Sequence, residues 1–243
     1  MIGQLKWHQY QHFVNQRITT RSFTIRTVLM DYRVQTTLDN LMLEAVDIIV
    51  GVGELQACRQ KWACLALKDG GLGMMSMNIA APCAHTASWG EALERIATQI
   101  GVHAYPQIEV RAPAMAHMIE AAMNMCRALG VDPEQKIREA TTSKQTDLQK
   151  QWTVEAQTRA KDKLMGELTK AECAILRAAG GKGAGAWLEA RDGETEAQWL
   201  TDDEFSAAVA VRMALEMPSI TGCMRKTAGG GVCGTAMEGS MAH

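Results

Sequence analysis

Sequence patterns that start and end helices recur along most of this chain, and they constrain its fold more than any other feature. Three S/T-x-x-E patterns stand before apolar runs, as in a capping box, where a side chain and a glutamate each bond the other's backbone. These patterns are Ser88 with Glu91, Thr169 with Glu172, and Thr201 with Glu204. Gly101, Gly130 and Pro218 stop runs that have helical spacing. Alternating strand patterns are nearly absent, and only Arg21 to Tyr32 is ambiguous. The chain is therefore predicted to be mostly α.

Three regions follow one another along the sequence. Residues 1–131 carry successive apolar helical runs, which predict a helical bundle. After Asp132-Pro133 the composition shifts, and Ser143 to Leu168 is rich in Lys, Gln, Glu and Arg with sparse apolar residues. Residues 132–218 are therefore expected to form an amphipathic helical linker. Residues 219–243 are Gly-rich without periodicity, which predicts an irregular tail.

The charge balance limits the kind of partner surface that the chain can present. Its formal net charge is −2 and its sequence pI is near 6.3, whereas proteins that grip phosphate over their main surface carry a basic excess. Any nucleic-acid face must therefore be local. No apolar run approaches the roughly 18 residues of a membrane span, and the N-terminus has no signal-peptide pattern. Five of the seven cysteines lie in apolar helical stretches, which favours reduced thiols and an intracellular protein, nuclear or cytoplasmic.

Two pairs of residues have the spacing of metal sites. His8 and His12 stand four apart, as ligands on a helix would, but Gln9 replaces the glutamate of H-E-x-x-H. The histidines are therefore interpreted as a solvated helix face. Asp202 and Asp203 could hold Mg²⁺, but they fall in the first turn of a capped helix, where the helix dipole favours negative charge. Capping accounts for both aspartates.

Hydrolase and phosphate-loop motifs are incomplete. Ser88 lies near His85 without the G-x-S-x-G elbow, and the capping box already accounts for Ser88. The glycine runs at 70–73 and 180–183 do not fit G-x-x-x-x-G-K-[ST], so both are interpreted as ordinary turns. No catalytic residue is predicted, and the chain is not expected to be an enzyme by itself.

Cys223, Cys233 and His243 form the one candidate metal cluster. Thiolates and an imidazole in a Gly-rich segment are ligands that zinc uses to order a region lacking its own core. Three ligands are an incomplete set for a tetrahedral site, and the steps between them are long. No cofactor is therefore predicted, and zinc is left as an alternative.

Three separated segments carry a resemblance to a known family. The first is WACLALKDGGLGM at 62–74, followed by Ala84 and Ala87-Ser88-Trp89. The second is GAGAWL at 183–188, followed by Leu200, Phe205, Arg212 and Leu215. The third is Cys233-Gly234, followed by Glu238, Gly239 and His243. In this order they resemble the thumb and the cysteine–histidine tail of non-LTR (LINE-type) retrotransposon reverse transcriptases. Gly231 stands where that family usually has another cysteine.

The resemblance implies a function as part of a larger enzyme. The catalytic aspartates would lie in fingers and palm regions upstream, and the thumb helices would hold an RNA or DNA template–primer. Residues 1–131 would then be thumb-like, and the function would be residual nucleic-acid binding at most. The candidate phosphate contacts are the basic residues of the first region, namely Arg17, Arg21, Arg26, Arg59 and Lys61.

A helical protein-interaction module is the alternative. Pro113 opens a run in which Met115, Met118, Ile119, Ala122 and Cys126 share one face. Methionine side chains adapt to varied surfaces, so a Met-rich helical face could receive a partner.

Overall fold

The described part of this computed structural model is built from α-helices. It comprises residues 32–50, 55–189 and 200–215, which contain ten α-helices and no strand. The helices are α1 (Tyr32–Val50), α2 (Ala57–Ala63), α3 (Met77–Ile100), α4 (Tyr105–Arg111), α5 (Pro113–Ala128), α6 (Glu134–Glu139), α7 (Leu148–Glu167), α8 (Lys170–Ala179), α9 (Ala186–Glu189) and α10 (Asp202–Arg212). A 3-10 turn spans Leu67–Asp69. The predicted mostly-α class is confirmed. None of these helices is both long and apolar enough to cross a membrane.

Two of the three predicted capping boxes are present. The Thr169 hydroxyl accepts a hydrogen bond from the Glu172 N–H at 3.3 Å, and the Glu172 carboxylate accepts one from the Thr169 N–H at 2.8 Å. Thr201 and Glu204 exchange the same two bonds at the start of α10. Asp202 and Asp203 lie in the first turn of that helix, as predicted.

The predicted capping box at Ser88 is wrong. Ser88 lies in the middle of α3, where it is buried, and its hydroxyl donates to the Ala84 carbonyl at 2.8 Å. The helix begins at Met77 instead, because its N-terminus is capped from another helix. Asp39 of α1 accepts hydrogen bonds from the Ser76 hydroxyl at 2.6 Å and from the Met77 N–H at 2.6 Å. A pattern that indicates a helix start locally therefore lies inside a helix here.

The core consists of two clusters of buried side chains. The Trp62 cluster joins α1, α2 and the 3-10 turn region to α8, α9 and α10. The Trp89 cluster surrounds the second half of α3 with residues of α4, α5, α6 and α7. Helix α7 contributes Leu164 to the first cluster and Trp152 to the second. Each cluster thus combines residues from both sides of residue 132, and the predicted boundaries at 131 and 218 remain predictions.

Helix α7 lies in the part of the chain predicted to be an amphipathic linker, and its helical structure is confirmed. Leu148, Trp152 and Ala156 are buried along one side in the Trp89 cluster, and Leu164 is buried in the Trp62 cluster. Helix α7 packs along α3, the helix with the longest buried stretch. The charged residues of α7 do not all face solvent, since Lys161 is partly buried and bonds Asp69 at 3.0 Å.

The Met-rich face of α5 is shared between the core and the surface. Of the residues predicted to share this face, Ile119, Ala122 and Cys126 are buried, and Met123 is buried with them. Met118, however, is half exposed. A partner face on α5 would therefore be narrower than the sequence suggested, and its use by a partner remains a prediction.

Candidate nucleic-acid interface

Of the two predicted phosphate contacts that the structure describes, Arg59 is the more constrained. It lies on α2, its guanidinium donates to the Glu172 carboxylate of α8, and it packs over the Trp62 ring, 5.1 Å from the ring centroid. Its side chain is only 11% exposed. In this arrangement the charge of Arg59 is matched by Glu172, and its first role is to join α2 to α8.

Lys61 is paired as well, but it is more accessible. Its ammonium lies 2.6 and 2.8 Å from the two carboxylate oxygens of Glu167 at the end of α7. Half of its side chain is exposed, and a surface ion pair of this kind contributes only about 0–1 kcal/mol. Phosphate contact by Lys61 therefore remains a prediction.

The other predicted site residues lie outside the described residues. These are Arg17, Arg21, Arg26, Cys223, Cys233 and His243, together with His8 and His12. Within residues 32–50, 55–189 and 200–215, no group of three or more metal-ligating side chains is assembled.

The glutamate that pairs with Arg59 makes folding stability depend on pH. Hydrogen bonds from the Thr169 hydroxyl and N–H, and then from Arg59, hold the pKa of Glu172 at about 2, against an ordinary value of 4.5. A carboxyl whose pKa is lower in the folded state contributes stability above pH 4.5, and that contribution is lost as the pH falls toward 2. We therefore expect Glu172→Gln to flatten the decline in unfolding free energy between pH 5 and pH 2, measured by urea denaturation. Glu139→Gln, at an exposed position on α6, is the control, and an equal effect there would contradict this assignment.

Arg212 is the residue whose role the sequence did not reveal. It lies at the end of α10, is 5% exposed, and its burial lowers the pKa of its guanidinium. Its Nε donates to the Gly71 carbonyl at 3.0 Å, Nη1 to Ala184 at 3.1 Å and Nη2 to Leu67 at 2.9 Å. The sequence signals were its place in the second motif segment and a basic side chain inside the otherwise apolar run AAVAVRMAL, and neither indicated what it binds. Arg212 thus ties three backbone segments to α10.

The two glycine runs meet each other beside Arg212. We call residues 67–73 and 180–185 together the glycine-loop pair. Gly70 has a φ of +91°, and a Cβ there would lie 2.3 Å from the Leu176 carbonyl oxygen. A Cβ on Gly180 would lie 2.9 Å from the Lys68 carbonyl oxygen. Both runs are turns, as predicted, but their mutual contact requires that both positions lack a side chain.

Cys64 lies on a cleft between α1, α2, α7 and the start of α3. The cleft has a volume of about 340 Å³, and its polar lining includes Asp39, Gln60 and Asn78. Burial, and then the nearby Asp39 carboxylate, raise the pKa of the Cys64 thiol to about 12. This thiol is therefore protonated near neutral pH and is a poor nucleophile, because the thiolate is the reactive form.

The first two motif segments named from the sequence come together around Arg212, and the third lies outside the described residues. Trp62 and Leu72 of the first segment share a cluster with Leu188 of the second and with Phe205. Trp187 meets Phe205 edge to face, with ring centroids 5.7 Å apart. Comparison of the chain with family models, curated proteins and solved structures returned no match.

Proposed function

We propose that this chain is a non-catalytic C-terminal part of a LINE-type reverse transcriptase and binds template–primer nucleic acid. The observation that carries the proposal is the packing around Arg212. Gly71 and Ala184 belong to two motif segments that are more than a hundred residues apart, and Arg212 bonds to both. Two short similarities that pack against each other support a common origin better than two that lie apart would, and the third, at 233–243, lies outside the described residues.

The apolar surface of α1 supports a missing partner region. Leu41 is 54% exposed and Ile48 is 81% exposed, although the opposite side of α1 packs in the Trp62 cluster. Leu41 and Ile48 are seven residues apart and so share one side of α1, where another protein region could pack. In the proposed enzyme, the fingers and palm regions would supply that region.

Binding by the full chain tests the proposed function. We expect a fluorescein-labelled RNA–DNA duplex to bind with an affinity that falls steeply with salt, measured by fluorescence anisotropy. The Arg17→Ala/Arg21→Ala variant should bind more weakly to every sequence, and its log–log salt slope should be smaller by about 2 for two lost phosphate contacts. Arg95→Ala/Lys136→Ala removes the same charge from exposed positions on α3 and α6.

Two results would count against these assignments. A chain that shows no salt-dependent binding to duplex or single strand does not have the proposed function. If the chain binds but the Arg17→Ala/Arg21→Ala variant matches Arg95→Ala/Lys136→Ala, then Arg17 and Arg21 are surface charges and the contacts lie elsewhere.

A second candidate function is protein interaction through α4 and α5. Val110 is 81% exposed and Met118 is 49% exposed on these two helices, which pack against each other. Concentration-dependent association in analytical ultracentrifugation, reduced by Met118→Gln and without nucleic-acid affinity, would favour this function over the first.

A further inference from the structure

We propose that the glycine-loop pair and the outer face of α8 form the surface that contacts the phosphate backbone. This inference rests on the proposed nucleic-acid function and moves the contact away from Arg59 and Lys61. The surface carries three basic side chains that form no ion pair among the described residues: Lys170, Arg177 and Lys182. Lys170 and Arg177 lie on α8, and Lys182 follows it.

The carboxylates of this region are already matched by other cations. Asp69 accepts a hydrogen bond from Lys161 of α7 at 3.0 Å, and Lys68 lies farther from it, at 3.9 Å. Glu172 is bound by Arg59. Because Lys161 and Arg59 neutralise these two acids, the charge of Lys170, Arg177 and Lys182 remains available to a ligand. Arg59, which was predicted to contact phosphate, thus neutralises the Glu172 carboxylate, and its guanidinium remains bound to that carboxylate.

The shape of α8 permits close approach by a backbone. Its exposed alanines Ala174 and Ala178 lie on the same side of the helix as Lys170 and Arg177. Residues at i, i+4, i+7 and i+8 share a helix face, so the small alanine side chains lie directly beside the two cations. Long, flexible lysine and arginine side chains reach phosphate oxygens from such positions.

The second glycine run continues this face beyond the end of α8. Lys182 and Gly183 are exposed, and no atom lies within 4 Å of the position that a Cβ on Gly183 would occupy. In the described part of the chain, the N–H groups of Lys182 and Gly183 donate to no carbonyl. Successive backbone N–H groups in a glycine-rich turn favour anions. Arg212 holds this turn in place by donating a hydrogen bond to the Ala184 carbonyl.

A wider groove at the start of α7 lacks this charge excess. It is lined by Lys144 and Lys150, but Glu91 and Asp147 also line it, so its lining is balanced. The groove therefore has no electrostatic preference for phosphate, and its lysines are suitable for a matched control.

Removal of equal charge from the two surfaces tests the inference. In the full chain, Lys170→Gln/Arg177→Gln/Lys182→Gln should weaken binding of the labelled RNA–DNA duplex about tenfold or more and reduce the log–log salt slope by about 3. Lys136→Gln/Lys144→Gln/Lys150→Gln removes the same charge from exposed positions elsewhere and should leave the affinity within about twofold. Urea denaturation of each variant establishes that it is folded.

A single added charge gives a second, independent test. Ala174→Glu places a carboxylate in the middle of the α8 face, and Ala121→Glu makes the same change at an exposed position of α5. Only Ala174→Glu should weaken binding. If the wild-type chain binds the duplex but both α8 variants match their controls, the inference is overturned and the proposed function stands. If the wild-type chain does not bind, both are overturned.

Discussion

Replacing Arg212 by methionine is expected to destabilise the fold by about 3 kcal/mol. Methionine preserves much of the buried apolar volume but donates no hydrogen bond, so three bonds to carbonyls are lost. Leu67 and Ala184 keep other donors, namely the Gly70 N–H at 3.1 Å and the Trp187 indole N–H at 3.1 Å. Among the described residues, the Gly71 carbonyl has Arg212 as its one donor, and it would be left buried without a hydrogen bond.

Urea denaturation of the Arg212→Met variant measures this loss directly. Arg212→Lys should lose less stability, because an ammonium retains the charge but cannot span three carbonyls as the planar guanidinium does. Arg95→Met, at an exposed position on α3, should change the unfolding free energy by less than about 0.5 kcal/mol. If Arg212→Met were as stable as Arg95→Met, the three hydrogen bonds would contribute nothing net, and Arg212 would not organise the glycine-loop pair.

Replacing Asp39 by alanine is expected to cost about 2 kcal/mol of unfolding free energy. The Asp39 carboxylate accepts from the Ser76 hydroxyl, the Met77 N–H, and the Asn78 side-chain amide at 2.7 Å. Alanine would leave the buried Met77 N–H unpaired and would remove the negative charge next to the positive end of the α3 dipole. The loss arises at α3, although the substituted residue belongs to α1.

Two further variants separate capping from a general effect on α1. Asp39→Asn keeps one acceptor oxygen and should lose about half as much stability as Asp39→Ala. Glu44→Ala lies at an exposed position of the same helix and reports the change in helix propensity alone. Thermal unfolding followed by circular dichroism would show whether Asp39→Ala has a lower melting temperature than Glu44→Ala. Equal melting temperatures for Asp39→Ala and Glu44→Ala would rule out the cap.

The sequence predicts an interaction well when its partners are close along the chain and poorly when they are far apart. The boxes at Thr169 and Thr201 were predictable, because a capping box is complete within four residues and needs no contact from elsewhere. The same S-x-x-E pattern at Ser88 misled, since the donors that start α3 are bound by Asp39, a distant residue on another helix. A local pattern shows that a box can form, but it cannot show that another cap has already started the helix.

The sequence could identify the basic residues of the candidate site but not their partners in the folded chain. Arg59 and Lys61 are basic residues in the sequence, but their pairing with Glu172 and Glu167 joins residues more than a hundred positions apart. The charge of an interface is the sum over side chains that the fold brings together, so the uncompensated cations on α8 could not be identified from composition. The cleft beside Cys64 could not be predicted either, because residues from four separate helices line it.

By itself, the sequence determined the helical class, the turns at the glycine runs and the start of two helices, because periodicity, capping and glycine conformation act within one or two helix turns. Only the tertiary structure decided that α3 begins at Met77, where Asp39 of α1 caps it. It also decided that the two glycine runs touch and that Arg212 is buried against three carbonyls. These features depend on side chains and backbone groups that meet from distant parts of the chain. Their energies arise from burial and hydrogen bonding, which exist only once the helices have packed.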